Sequence, residues 1–306
     1  YTATLSMYNF LNGNPEFERK VWTIEDGVLK ACLIPEGTYN RKQDLLVEPM
    51  QAFFVKLKEG ESVSKAVFTL LMTVDRWKAG GSQVVSIPAA VNINVVNDGN
   101  LCSTAKVVVS DDADDEFSDD EDIELLNNTD IADVPQVYTV AGNQAAALNR
   151  LSNINFLPFG VIANEEGMVM KDGGMVTVDI SANRYVDDKL FVFDAKKGTF
   201  TPVNGAISIK ANEHGRYYIT TSAYTLVDTN VEANIKCFST ANGTITVSTP
   251  NQKLASVRVY TAEGMLVTSE SGINAASWTK SIGSGLFIIK AETTNGKSKT
   301  FKVSVR

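Results

Sequence analysis

The sequence predicts an all-β chain, and three observations carry that reading. Apolar and polar residues alternate over short runs, as in Ser256-Val257-Arg258-Val259-Tyr260, the period-2 signature of a strand with one buried face. Turn pairs punctuate the runs: Asn12-Gly13, Asp26-Gly27, Asp98-Gly99, Asn204-Gly205, Asn242-Gly243 and Asn295-Gly296. Helical periodicity is scarce, with candidates at Asn143–Ser152, around Ala145-Ala146-Ala147-Leu148, and in the acidic stretch near Asp119–Leu126. Regular short strands with such turns predict two upstream β-sandwich or jelly-roll-like units followed by a small Ig-like C-terminal sandwich.

The first segment covers residues 1–80. Gln51–Lys58 and Lys65–Met72 read as strands around the turn Glu59-Gly60-Glu61-Ser62. Phe53 and Phe54 are adjacent, so a strand sends one ring to each face and at least one should be buried. Gly80-Gly81-Ser82 marks a boundary, and a second sandwich spans 83–223. Tyr224–Glu232 reads as a final strand or linker.

The third segment, 233–306, is a compact run of strands: Asn234–Ser239, Thr244–Ser248, Ser256–Tyr260, Met265–Val267, Leu286–Ala291 and Lys299–Arg306. Period 2 places Val257, Val259, Leu266, Phe287, Ile289, Phe301 and Val303 in its core. In the last strand Phe301, Val303 and Val305 share one face, and Lys302, Ser304 and Arg306 share the other.

Of 306 residues, 44% are apolar and 21% charged, enough for two or three domains with real cores. Net charge is −8 and the pI about 4.9, which argues against nucleic acid and anionic membrane surfaces as partners and suits a secreted surface protein. No apolar run approaches the roughly 18 residues of a membrane span. Position 1 is Tyr with no leader-like segment after it, so the chain reads as a processed product or a piece cut from something longer.

Cys32, Cys102 and Cys237 are odd in number and far apart, which favours buried free thiols over a disulfide framework or a zinc site. His214 is the single histidine, so any Ser-His-Asp triad would rest on it, with Glu213 beside it. No G-x-S-x-G elbow accompanies it, and His214 reads as a turn residue entering a strand that sends Tyr217 and Ile219 inward. Glu165-Glu166 and Asp187-Asp188 read as turn residues rather than paired glycosidase carboxylates. Gly80-Gly81 and Gly173-Gly174 lack the lysine and spacing of a phosphate loop.

The acidic run Asp111–Glu124 is the strongest local oddity. Asp111, Asp112, Asp114, Asp119 and Asp122 are candidate calcium ligands, but no EF-hand order is present. A solvated acidic loop, with Glu121-Asp122 capping a short helical turn, is the favoured reading, and no cofactor is expected. Trp22, Trp77 and Trp278 are candidates for a sugar-stacking platform, with core packing favoured.

Three stretches of the last segment carry a resemblance. Val257-Arg258-Val259-Tyr260 with Gly264 and Leu266-Val267, then Gly283-Ser284-Gly285-Leu286-Phe287-Ile288-Ile289-Lys290, then Lys302-Val303-Ser304-Val305-Arg306, resemble the type A C-terminal sorting domain of the Bacteroidetes type IX secretion pathway. The resemblance implies that Val259, Tyr260, Gly264, Gly285, Lys302 and Arg306 are the sorting and recognition residues, that secretion machinery is the partner, and that the protein is secreted or displayed on the outer surface. Asn12-Gly13-Asn14-Pro15, Val47–Lys56, Val134–Ala145, Leu157–Val161, Lys189–Ala195 and His214–Ile219 resemble a β-rich region of large surface proteins from the same bacteria. The expected function is a non-catalytic stalk, spacer or adhesive module. A carbohydrate-binding module, with a glycan or host surface as partner, and a truncated surface hydrolase are the alternatives.

Overall fold

The structure is a computed structural model that describes residues 4–25, 28–36, 44–48, 51–62, 66–68, 72, 89–97, 100–125, 135–163, 174–183, 186, 189–221, 234–240, 243–250 and 252–305. About 60% of these residues are strand and 3% α-helix, so the chain is all-β. Among the described residues no helix is long and apolar enough to cross a membrane.

The N-terminal unit is built from β1 (Leu5–Ser6), α1 (Met7–Asn12), β2 (Phe17–Glu25), β3 (Val28–Leu33), β4 (Leu46–Val47) and β5 (Phe53–Leu57). Ser6 caps α1 by accepting the Asn9 N–H, and the Gly13 N–H closes it onto the Asn9 carbonyl. Six residues are too few for an isolated helix, so α1 persists by burying Met7, Tyr8, Phe10 and Leu11 against β2 and β5. The short β1 pairs with β4, and β2 lies between β3 and β5. Both rings of the Phe53-Phe54 pair are half-buried: Phe53 packs on the α1 core, and Phe54 joins Trp22, Leu29 and Ile123 on the other face. Ala66–Phe68 form no strand, and the rest of the expected strand Lys65–Met72, apart from Met72, lies outside the described residues, as does Gly80-Gly81-Ser82.

The middle unit contains β6 (Ala89–Asn97), β7 (Asn100–Val109), β8 (Ile123–Glu124), β9 (Gln136–Ala141), β10 (Gln144–Leu151), β11 (Leu157–Ile162), β12 (Met175–Ala182), β13 (Phe191–Asp194), β14 (Thr199–Pro202), β15 (Ala206–Lys210) and β16 (Tyr217–Thr220). One layer runs β15-β12-β6-β7, the other β9-β11-β16-β13-β14. The first half of β10 pairs with β9 and the second half runs parallel to β7, joining the layers. Val91, Ile93, Val107, Phe159, Val178 and Ile219 are fully buried between them.

Within 143–152 the chain forms strand β10 (Gln144–Leu151), not the expected helix. Gly142, at φ +51°, turns the chain back on β9, and Ala145, Ala146 and Ala147 are buried by strand pairing that overrides alanine's helix preference. The acidic stretch near Asp119 also lacks a helix. Ile123 is fully buried and β8 pairs with β10 instead.

The terminal unit contains β17 (Lys236–Thr240), β18 (Thr244–Ser248), β19 (Leu254–Thr261), β20 (Leu266–Ala275), β21 (Ser277–Ser281), β22 (Gly285–Thr293) and β23 (Ser298–Val305). Sheet β17-β18-β21 faces sheet β20-β19-β22-β23 across a core of Cys237, Val247, Val257, Val259, Trp278, Ile289 and Val303. Val257, Val259, Phe287, Ile289 and Val303 are buried as expected, and Phe301 is half-buried against them. Leu266, expected in the core, is instead 58% exposed. A bulge between Val259 and Tyr260 shifts the register by one residue, so Leu266 pairs opposite Tyr260 and turns outward.

The terminal sandwich docks on the middle one. The Ser239 N–H donates to the Asn143 carbonyl at 2.9 Å, and Asn143 Nδ2 donates to the Lys302 carbonyl at 3.1 Å. Phe238 joins Tyr138, Val140 and Ala145 in a shared apolar cluster. Gly215, at φ +70°, lies so close that an added Cβ would sit 2.6 Å from Ser248 Cβ. The three cysteines form no disulfide; Cys237 is buried, which raises its thiol pKa, and Cys32 and Cys102 are only half-buried.

Candidate functional surface

The outer face of sheet β20-β19-β22-β23 gathers residues far apart in sequence. Leu266, Tyr260, Ile288 and Lys302 lie directly opposite one another on four adjacent strands and form one row across the sheet. Leu286 is two residues from Ile288 on β22, hence on the same face. Gly264, at φ +87°, makes the turn between β19 and β20, where the Thr261 N–H bonds the Met265 carbonyl at 2.9 Å. Gly285, at φ +150°, starts β22 opposite Val305, and an added Cβ would press on the Phe287 ring at 3.3 Å. Val259 is fully buried and holds the sheet from beneath. Arg306 lies outside the described residues.

This end of the sheet is unusually apolar. Of six exposed large apolar side chains among the described residues, four are here: Met265, Leu266, Val267 and Leu286. The next row carries Arg258 opposite Lys290. Residues 234–306 hold nine basic residues (Lys236, Lys253, Arg258, Lys280, Lys290, Lys297, Lys299, Lys302 and Arg306) against Glu263, Glu270 and Glu292. The rest of the chain holds 19 basic and 33 acidic residues, so the total charge of −8 hides a terminal unit of +6 on a body of −14. A count by segment would have found this from the sequence.

The acidic loop is neutralised by distant cations. Arg150 reaches Asp112 and Glu121, each at 2.6 Å, and Asp115 Oδ1 accepts from the N–H and Oγ of Ser152. Asp122, fully buried, accepts from the backbone N–H groups of Ser118 and Arg150. Among the described residues the five candidate calcium ligands do not converge. Among the described residues the one group of three close carboxylates is Glu18, Asp119 and Glu124. Lys20 Nζ sits among them, 2.7 Å from both Asp119 and Glu124 and 3.5 Å from Glu18, while Lys56 pairs with Glu124 and Glu18. Burial alone would raise the Glu124 carboxyl, but hydrogen bonds from the two lysines hold it down at about 2. Burial likewise works against a charged Lys20, and its bonds to Asp119 and Glu124 leave its pKa raised.

His214 Nδ1 lies 2.7 Å from the hydroxyl of Tyr138, which is fully buried. Burial lowers the His214 pKa to about 4, so the ring is neutral at neutral pH. It lines a cleft of about 670 Å³ between the middle and terminal sandwiches, beside Arg216, Gln252 and Lys253. Glu213 does not orient His214; it pairs with Arg216 at 2.7 Å, and Arg216 also binds Asp194 at 2.6 Å. Tyr217 and Ile219 point into the core, and Tyr218 is buried on the opposite face under the terminal sandwich.

Trp22 and Trp278 are 1% and 6% exposed, so neither offers a stacking face, and Trp278 Nε1 donates to Glu270 at 2.8 Å. Trp77, Glu165-Glu166, Asp187-Asp188 and Gly173 lie outside the described residues.

No protein-family model and no curated protein matches the chain. Among solved structures, the central fibronectin-III array of RIM-binding protein is similar at 11% identity, covering 72% of this chain and 89% of that chain, with a TM-score of 0.16, too low to support an argument.

Proposed function

We propose that the terminal sandwich is a docking domain that delivers the protein to the outer cell surface, in the manner of a type A sorting domain. The two upstream units are its non-catalytic passenger: stalk, spacer or adhesive module. The observation that carries the reading is the row Leu266–Tyr260–Ile288–Lys302, which brings three separate stretches of the resemblance onto one exposed face. Leaving Met265 and Leu266 in water is unfavourable for folding alone, and such patches with basic neighbours mark interaction sites. The non-catalytic reading is supported by the pairing of His214 with the Tyr138 hydroxyl and of Glu213 with Arg216, which leaves His214 without a carboxylate to orient it.

The test is surface display in the native host. Deleting Lys302–Arg306, or replacing Leu266 by Asp on the folded sheet, should strand the protein in the periplasm. Undiminished display of both variants would reject the docking role.

A further inference from the structure

A cavity of about 250 Å³ opens between the middle and terminal sandwiches, and its polar wall is dominated by asparagine: Asn149, Asn153 and Asn155 with Asp115 from one side, Asn234 with Lys236 from the other. We propose that it is a saccharide-binding site that takes the hydroxyls of a single pyranose ring.

The wall is made of groups the fold leaves available. Asn149 is 2% exposed and its Nδ2 donates to the Val140 carbonyl at 3.0 Å. That leaves Oδ1 as an acceptor at the cavity wall, with no bond to the described residues. The side chains of Asn155, Asn234 and Lys236 likewise make no hydrogen bond among the described residues. Each amide holds two donor hydrogens and an acceptor oxygen in one plane. Neighbouring ring hydroxyls, which donate and accept in turn, match that set better than an apolar or fully ionic molecule does. Lys236 and Asp115 add one group of each sign, which suits a ring without strong net charge.

The loop that carries two of the amides is fixed. Phe156 holds φ +47°, a costly conformation for a bulky residue. It is kept there by its ring, which packs edge-on against Phe193, Phe200 and Tyr218 at 5.6 to 6.4 Å. Asn153 and Asn155 are therefore presented by a loop clamped from behind, the preorganisation a binding site needs. Asp115 is held by Ser152 and is the one carboxylate among the described residues of the wall. Glycoside hydrolysis uses a pair, so the arrangement binds a sugar rather than cleaving it. The volume falls just below the roughly 300 Å³ at which drug-sized pockets begin, enough for one ring and not for a chain.

Sugar binding at this cavity does not require docking by the terminal sheet, and the purified full chain is the sample. Methyl glycosides of glucose, galactose, mannose and N-acetylglucosamine would be tested at about 10 mM by saturation-transfer NMR, with glycerol as control. At least one glycoside should bind, and Asn155→Ala and Asn234→Ala should each weaken it about fivefold while circular dichroism stays unchanged. The proposal is overturned if no glycoside gives a signal, if glycerol does equally well, or if binding survives in the double variant.

Discussion

Replacing Lys20 by Met tests how the acidic loop is held to the N-terminal unit. Lys20 is 2% exposed and its ammonium faces three carboxylates, two of them at 2.7 Å. Removing one partner of a buried ion pair costs about 3–5 kcal/mol, because the remaining charges stay buried. Asp119 is 79% exposed and contributes little to that figure, so the loss should lie near 3 kcal/mol and rest mainly on Glu124. At about 2–4 °C per kcal/mol, the melting temperature should fall by roughly 6–12 °C at pH 7. The pH dependence adds a second check. The carboxyl of Glu124 is depressed from 4.5 to about 2, so its stabilisation is present above pH 4.5 and lost as pH falls through 2. The gap between wild type and variant should therefore close in acid. Glu18, Asp119 and Glu124 lie within 4.8 Å of one another, so millimolar calcium should recover part of the loss in the variant and leave the wild type unchanged. Differential scanning calorimetry across pH reads all three effects. A variant that melts with the wild type at pH 7, or a gap that persists in strong acid, would refute the reasoning.

Two further predictions concern the terminal unit and its junction. Val259→Asp places an unpaired carboxylate at a fully buried site, at a cost of about 4 kcal/mol or more, and should melt the terminal sandwich before the rest. Loss of the Trp278 signal together with the signal of Trp22 in one transition would show that the docked units unfold as one. His214 binds its proton less readily in the folded state, about 4 against 6.5, so the unfolded chain takes up more protons as pH drops from 6.5 towards 4. About 3 kcal/mol present above pH 6.5 should be lost over that window, and His214→Gln should flatten the loss; parallel melting curves for the two proteins would argue against it.

How much of this was legible follows from the range of the interactions. Val257, Val259, Ile289 and Val303 obey a local period, and local patterning placed them in the core correctly. Leu266 obeys the same pattern and failed, because a bulge is a property of two paired strands and only one of them is visible at a time. Residues 144–151 failed for a related reason: three alanines favour a helix locally, and the pairing that decides the matter comes from β7 and β9. The acidic loop announces its charge, yet its counter-ion Lys20 is 99 positions from Asp119. The asparagine cavity had no local signal, since its wall draws on residues from Asp115 to Lys236 and an isolated asparagine reads as a turn. The exposed row on the terminal sheet falls between these cases. Its residues lie in three separate stretches of sequence, and only antiparallel pairing of β20, β19, β22 and β23 shows that Leu266, Tyr260, Ile288 and Lys302 form a single surface. Because that surface depends on register, a one-residue slip in β23 would turn Lys302 to the buried face and scatter the row.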